Sequence, residues 1–226
     1  MDQTKCFCEL ILCLSDALED NVKERILALP FGIFEKERLL SMKNKAARNN
    51  SLCSLLCLEK LLHKKGFDKC DTTILRDTGG KPYFTSVPLC FSISHSGNLC
   101  AVAISNENIG IDVEFIDEKR NIDAVARRFF KEDENLTLKD DTSRKKFFRL
   151  WTRKEAYAKF TGKGLASICR HEQSINDTCV YTDFGLTLKS KTACLCVCLP
   201  RDADITIDNF CDKPEYLNRA EPDLHK

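Results

Sequence analysis

The sequence predicts an α+β protein whose two similar halves, residues 1–105 and 106–226, face one another. Three observations carry this prediction. The order strand, helix, strands recurs on both sides of Ser105. The 226 residues suffice for two units of roughly 100 residues each, the usual size of a domain. The composition, 43% apolar and 31% charged with no low-complexity tract, supports a real core and excludes a collagen-like or wholly disordered chain. No sequence repeat accompanies the recurrence, so the duplication is a statement about topology.

The elements follow in order. Lys5 to Leu14 is rich in β-compatible apolar residues, and Ser15 and Asp16 then start a helix whose spacing is set by Val22, Ile26 and Leu29. One longer helix is expected from about Glu35 to Leu62, with Leu52, Leu55, Leu56 and Leu62 on its apolar face and Gly66 as its stop. Asp77-Thr78-Gly79-Gly80-Lys81-Pro82 is a turn cluster with strands on either side. Phe91–His95 and Leu99–Ser105 read as a hairpin closed by Ser96-Gly97-Asn98, and Ile109–Ile116 as a further strand. A helix from Asp123 to Phe130, an acidic stretch around Glu132 to Asp141 and a strong helix from Ser143 to Thr161 come next. Short strands at Gln173–Ile175, Thr178–Asp183, Gly185–Leu188 and Thr192–Leu199 complete the pattern, and the polar tail after about residue 214 is expected to be loosely held.

Composition also limits function. A formal net charge of +1 gives no global attraction to nucleic acid or an anionic membrane. The apolar stretch Cys6–Leu14 is interrupted by Glu9, lacks a basic leader and is too short to span a bilayer. Fourteen cysteines without a CxxC pair, in a chain of this size, suit buried thiols in a reducing cytoplasm. Cys53 and Cys57 lie four apart on a helical pattern, and Cys194, Cys196 and Cys198 share one face of a strand; apolar packing explains both better than a zinc site, since no ligand at finger-like spacing accompanies them.

Three constellations carry chemistry. In Gly110-Ile111-Asp112-Val113-Glu114-Phe115 the period-two alternation puts both carboxylates on one strand face. Ordinary outward patterning explains that as well as function does, except that converging carboxylates repel unless a cation or proton intervenes, and Mg2+ takes one or two carboxylates plus phosphate oxygens. On the helix, Trp151, Glu155 and Lys159 stack on one side. Glu155 is the only acid among eight basic residues from Arg144 to Lys163, which favours a metal ligand or base over charge balance and offers positive charge to an acidic partner. Finally, Phe91-Ser92-Ile93-Ser94-His95-Ser96 ends a strand in a histidine flanked by hydroxyls; such a histidine is commonly structural, but when protonated it can hold phosphate. There is no Walker loop, Gly-x-Gly-x-x-Gly or nucleophile elbow.

In this order and spacing the motifs resemble the 4'-phosphopantetheinyl transferases of the double-length (Sfp-type) class. The resemblance rests on Gly79-Gly80-Lys81-Pro82, Phe91 to Ser96, Gly110 to Glu114, Arg128-Phe129-Phe130, Leu150 to Ala156, Lys159 and Gly162-Lys163-Gly164, and it spans roughly residues 31–165. It implies the pseudo-dimeric fold of that family, a monomer with coenzyme A bound between the halves, and transfer of the 4'-phosphopantetheine arm to a serine of an apo acyl or peptidyl carrier protein with release of 3',5'-ADP. It further implies Asp112, Glu114 and Glu155 as ligands of Mg2+, with Mn2+ able to substitute, and Glu155, Lys159 and His95 as catalytic groups. Coenzyme A contacts are implied for His95, Lys159, Lys81, Pro82 and Arg48, and more loosely for Lys36. Ser92 departs from the asparagine of many relatives; a hydroxyl still donates and accepts hydrogen bonds. The alternative reading is a non-catalytic coenzyme A or nucleotide binding module.

Overall fold

The computed structural model describes residues 5–17, 21–67, 70–132, 134, 143–165, 179–188 and 191–209. The first sheet contains β1 (Phe7–Leu14), β4 (Cys90–Ser96), β5 (Leu99–Ser105) and β9 (Asp204–Asn209) in the order β4-β5-β1-β9, and the second has β6 (Gly110–Phe115), β8 (Lys191–Leu199) and β7 (Val180–Leu188) in the order β6-β8-β7. β2 (Ile74–Arg76) and β3 (Pro82–Phe84) form a small ribbon around the predicted turn cluster. Helices α1 (Val22–Ala28), α2 (Gly32–Ser41), α3 (Lys45–Lys64), α4 (Ile122–Phe129) and α5 (Ser143–Thr161) complete the α+β fold.

Strand alternation generates four layers. Leu10 and Leu12 of β1, Ala101 and Ala103 of β5, Ile111 and Val113 of β6, and Leu195 and Val197 of β8 share one buried cluster between the two sheets. The opposite face of the first sheet, with Ile11, Cys13, Phe91, Cys100 and Val102, packs on Leu52, Leu55 and Leu58 of α3. On the second sheet, Cys194 meets Trp151 of α5, while Cys196 and Cys198 meet Ala156. The chain is therefore layered α3, sheet, sheet, α5, and β5, covered on both faces, is buried at all seven positions.

Three expectations change. The single helix from Glu35 to Leu62 is two helices: Met42 turns extended, and the Asn44 side chain caps α3 by accepting from Ala47 N–H at 3.0 Å. The strands at Thr178–Asp183 and Gly185–Leu188 are one, β7, because Gly185 continues the ladder opposite Cys194. β9 was not expected; Ile205 and Ile207 alternate with polar residues and pack on the inter-sheet core, and the strand runs parallel to β1, so the C-terminal segment returns to the first sheet. The expected strand at 173–175 and the tail after about 214 lie outside the described residues.

Candidate active site between the halves

The strands that approach from the two sheets are β4 and β6, and serine hydroxyls join them. Ser92, Ser94 and Ser96, alternate residues of β4, accept from the backbone N–H of Ile111, Val113 and Phe115 at 3.0, 3.2 and 3.0 Å. Two of these hydroxyls also donate: Ser94 Oγ to Asp112 Oδ1 at 2.7 Å and Ser96 Oγ to Glu114 Oε2 at 2.8 Å. The repeat of the strand thus satisfies the β6 edge and orients both carboxylates. Ser92, the departure from the family pattern, bridges β4 and β6. Its signal was present in the sequence as three hydroxyls at period two.

Close packing then brings α5 onto β6. Gly110 makes this possible, since a Cβ there would stand 2.0 Å from Ala156 O and 2.4 Å from Phe160 N. Under α5, Phe147 stacks on Phe130 and Trp151, with ring centroids 5.2 and 6.2 Å apart. Glu114 accepts Trp151 Nε1 and an Arg120 guanidinium nitrogen, each at 3.2 Å, on Oε1. Lys159 does not pair with Glu155 four residues earlier: its Nζ donates to Asp112 Oδ1 at 2.8 Å.

This leaves oxygen valences open. Asp112 is buried and its Oδ2 has no partner, and Glu155 makes no hydrogen bond or ion pair among the described residues. Burial pushes the Asp112 carboxyl up, against the pull of the Lys159 ammonium and the Ser94 hydroxyl. Burial, and then the neighbouring Asp112 carboxylate, raises Glu155 in the same direction. An all-carboxylate set with an orphaned buried oxygen suits a hard divalent cation. The oxygens of Asp112, Glu114 and Glu155 are not all drawn within 4.8 Å of one another.

A cleft of about 380 Å³ is lined by Lys81, Pro82, His95, Glu155 and Lys159. It also exposes Arg38 and Arg76, which sequence reasoning missed. Both guanidiniums are held by buried Glu35: Arg38 Nε on Oε2 at 2.8 Å, and Arg76 on Oε1 at 2.9 and 3.2 Å. Of the two basic residues assigned to that region from sequence, Arg48 is not among the lining residues, and Lys36 turns to the Leu27 carbonyl at 2.8 Å. Lys81 borders the cleft, but its Nζ is engaged by Asn108 Oδ1, Ile109 O and Phe160 O at 2.8, 3.2 and 3.1 Å, and burial lowers its pKa. The turn containing Lys81 meets the end of α5 at Gly79, where a Cβ would lie 2.2 Å from Gly162 O.

The basic run of α5 is largely satisfied within the fold. Arg149 and Arg153 grip the half-buried Asp183, and buried Lys154 pairs with Glu134 at 2.8 Å. Arg144 bonds to the carbonyls of Asp117 and Arg120. The positive surface expected for an acidic partner is therefore much reduced.

Residues 108–198 match the 4'-phosphopantetheinyl transferase superfamily. Among characterised proteins, the chain is 39% identical over 110 residues to the 4'-phosphopantetheinyl transferase HetI of Nostoc sp., covering 45% of this chain and 46% of that protein. It is 34% identical over 159 residues to the transferase psf-1 of Bacillus pumilus, 66% of each chain, and 30% identical over 132 residues to the transferase AcpT of Salmonella typhi, covering 56% and 67%. The chain thus spans about half to two thirds of the length of the relatives it matches. The matched residues 108–198 contain β6, all of α5 and the carboxylate cluster at their junction.

Proposed function

Because the chain belongs to the 4'-phosphopantetheinyl transferase superfamily, we propose that it moves the phosphopantetheine arm of coenzyme A onto a serine of an apo acyl or peptidyl carrier protein. The observation that carries this reading is the junction of β6 and α5, where Asp112 keeps an unpartnered buried oxygen beside partnerless Glu155. The cleft they serve also presents Lys159, Arg38 and Arg76 beside His95, a set of nitrogen donors suited to a ligand with three phosphate groups such as coenzyme A. On this reading the two sheet-and-helix layers are the halves of the pseudo-dimer, divided near residue 105 except that β9 crosses back to the first sheet, and the ligand lies between them.

Asp112, Glu114 and Glu155 would hold Mg2+ or Mn2+; when bound, the cation neutralises charge on the pyrophosphate oxygens. The protein's own groups do the rest. Lys159, fixed by Asp112, offers its ammonium to the transferring and leaving oxygens. His95, exposed at the end of β4, donates to a phosphate. Glu155, held by no other side chain among the described residues, takes the proton of the carrier serine, directly or through water, as the serine oxygen bonds to the phosphorus next to pantetheine and the bond to 3',5'-ADP breaks.

Release of 3',5'-ADP with and without chelator tests the reading. Turnover should stop in excess EDTA and return with Mg2+; Asp112→Ala should abolish it, and Glu114→Ala should be milder, because Glu114 is already committed to Ser96, Arg120 and Trp151. Full turnover in EDTA would remove the metal role.

A further inference from the structure

A second cluster of potential ligands lies in the core between the first sheet and α3, apart from the carboxylates of β6. Cys13 of β1 and Cys100 of β5 are direct cross-strand partners, and their side chains point to α3, where Cys53 and Cys57 sit one turn apart. The ligand atoms of Cys13, Cys53 and Cys100 all lie within 4.8 Å of one another, and Cys57 Sγ is 3.2 Å from Cys13 Sγ. All four residues are buried, none more than 4% exposed. None forms a disulfide: even the closest pair, Cys13 and Cys53, has its sulfurs 2.8 Å apart.

Apolar packing, the reading that the spacing of Cys53 and Cys57 favours, explains buried thiols one at a time. It does not explain why sulfurs from three elements converge on one point, nor the polar group beside them. Ser54 is 1% exposed, its Oγ has no hydrogen-bond partner, and it lies against Cys100, where a hydroxyl lowers the cost of a thiolate. A buried hydroxyl left unpaired costs free energy, and donation to a metal-bound sulfur would remove that cost.

We propose that Cys13, Cys53 and Cys100, with Cys57 as fourth sulfur, form a buried structural site for Zn2+. Four sulfurs with no carboxylate or imidazole suit a soft d10 cation, and zinc takes such a set tetrahedrally. Zn–S bonds of about 2.3 Å place the sulfurs about 3.8 Å apart, so the 2.8 and 3.2 Å contacts would open modestly around the ion. With all four side chains buried, zinc would enter as this part of the chain folds and would pin α3 to β1 and β5. Its chemistry is separate from that of the oxygen cluster at β6 and α5, and the site does not depend on the proposed transferase activity.

Zinc content provides the first test. Protein expressed in zinc-supplemented minimal medium and purified under reducing conditions should retain about one zinc per chain by mass spectrometry. Cys13→Ser and Cys100→Ser should lose it, whereas Cys90→Ser, half-buried and outside the cluster, should keep it. Since those variants can fail to fold, a second measurement uses the wild type: denatured with reductant and EDTA, then refolded with Co2+, it should gain intense thiolate-to-cobalt charge-transfer absorption and tetrahedral d–d bands, both displaced by one equivalent of Zn2+. Zinc-free wild type that refolds without these bands overturns the proposal. So does a Cys13–Cys53 disulfide in freshly prepared protein.

Discussion

Substituting Gly110 with alanine tests whether the seating of α5 on β6 sets the site. The new Cβ would stand 2.0 Å from Ala156 O, about 1.4 Å short of the 3.4 Å at which ordinary contact begins, and 2.4 Å from Phe160 N. Both are backbone atoms of one helix, so no rotamer relieves the clash and the helix must move by about an ångström. Overpacking of this kind costs about 1–3 kcal/mol, and at this chain length each kcal/mol lowers the melting temperature by about 2–4 °C. The same movement carries Glu155 and Lys159 away from Asp112, and a misplacement of about 1 Å can cost about 10²-fold in rate. Gly185→Ala is the control, since nothing lies within 4 Å of its added Cβ and its effect should stay within about 0.5 kcal/mol. The assay pairs thermal melting with initial rates of 3',5'-ADP release. A Gly110→Ala protein with wild-type melting and wild-type rate would refute the claim that this contact sets the site.

Asp112→Asn should raise the melting temperature at pH 7 in chelator while abolishing transfer. Its carboxyl is pushed up by burial, so the ionised wild-type group weighs against the fold as pH rises above the usual carboxylate range; the gap between variant and wild type should narrow towards pH about 4, and a constant gap would contradict the assignment. Glu9→Gln should act oppositely. Burial alone would raise Glu9, but the Lys65 and Lys64 ammoniums hold it below its usual value, so its contribution of about 0.5–1 kcal/mol is present at neutral pH and fades as pH falls through its depressed value, a trend readable in urea melts across pH. Glu155→Gln should lower kcat strongly while coenzyme A still binds by calorimetry; loss of binding with unchanged kcat would assign Glu155 to ligand contact alone.

Local pattern predicted the elements well wherever it determines structure. Alternation placed Asp112 and Glu114 on one face of β6, and helical spacing buried Phe147 and Trp151 while leaving Glu155 at the core's border. The break between α2 and α3 was also legible, since Asn44 is a good cap, but the long apolar face continuing on both sides outweighed it. What the sequence hid was convergence. Arg38 and Arg76 meet only because Glu35 binds both across the folded chain, and no spacing records that contact. Lys81 reads as a coenzyme A contact, and no local pattern records that carbonyls from Ile109 and Phe160, distant in sequence, hold its ammonium beside the cleft. The α5 cations read as an exposed basic face until Asp183 and Glu134 fold against them.

Intact-mass spectrometry of a carrier protein tests the central claim most directly. Incubated with this protein, coenzyme A and Mg2+, an apo acyl or peptidyl carrier should gain the mass of one phosphopantetheine arm at its serine, with 3',5'-ADP released in equal amount. The physical basis is a base and an ammonium beside the same cleft, which a binding module has no need to keep. Several apo carriers left unmodified, despite measurable coenzyme A binding, would contradict the account and favour a non-catalytic module.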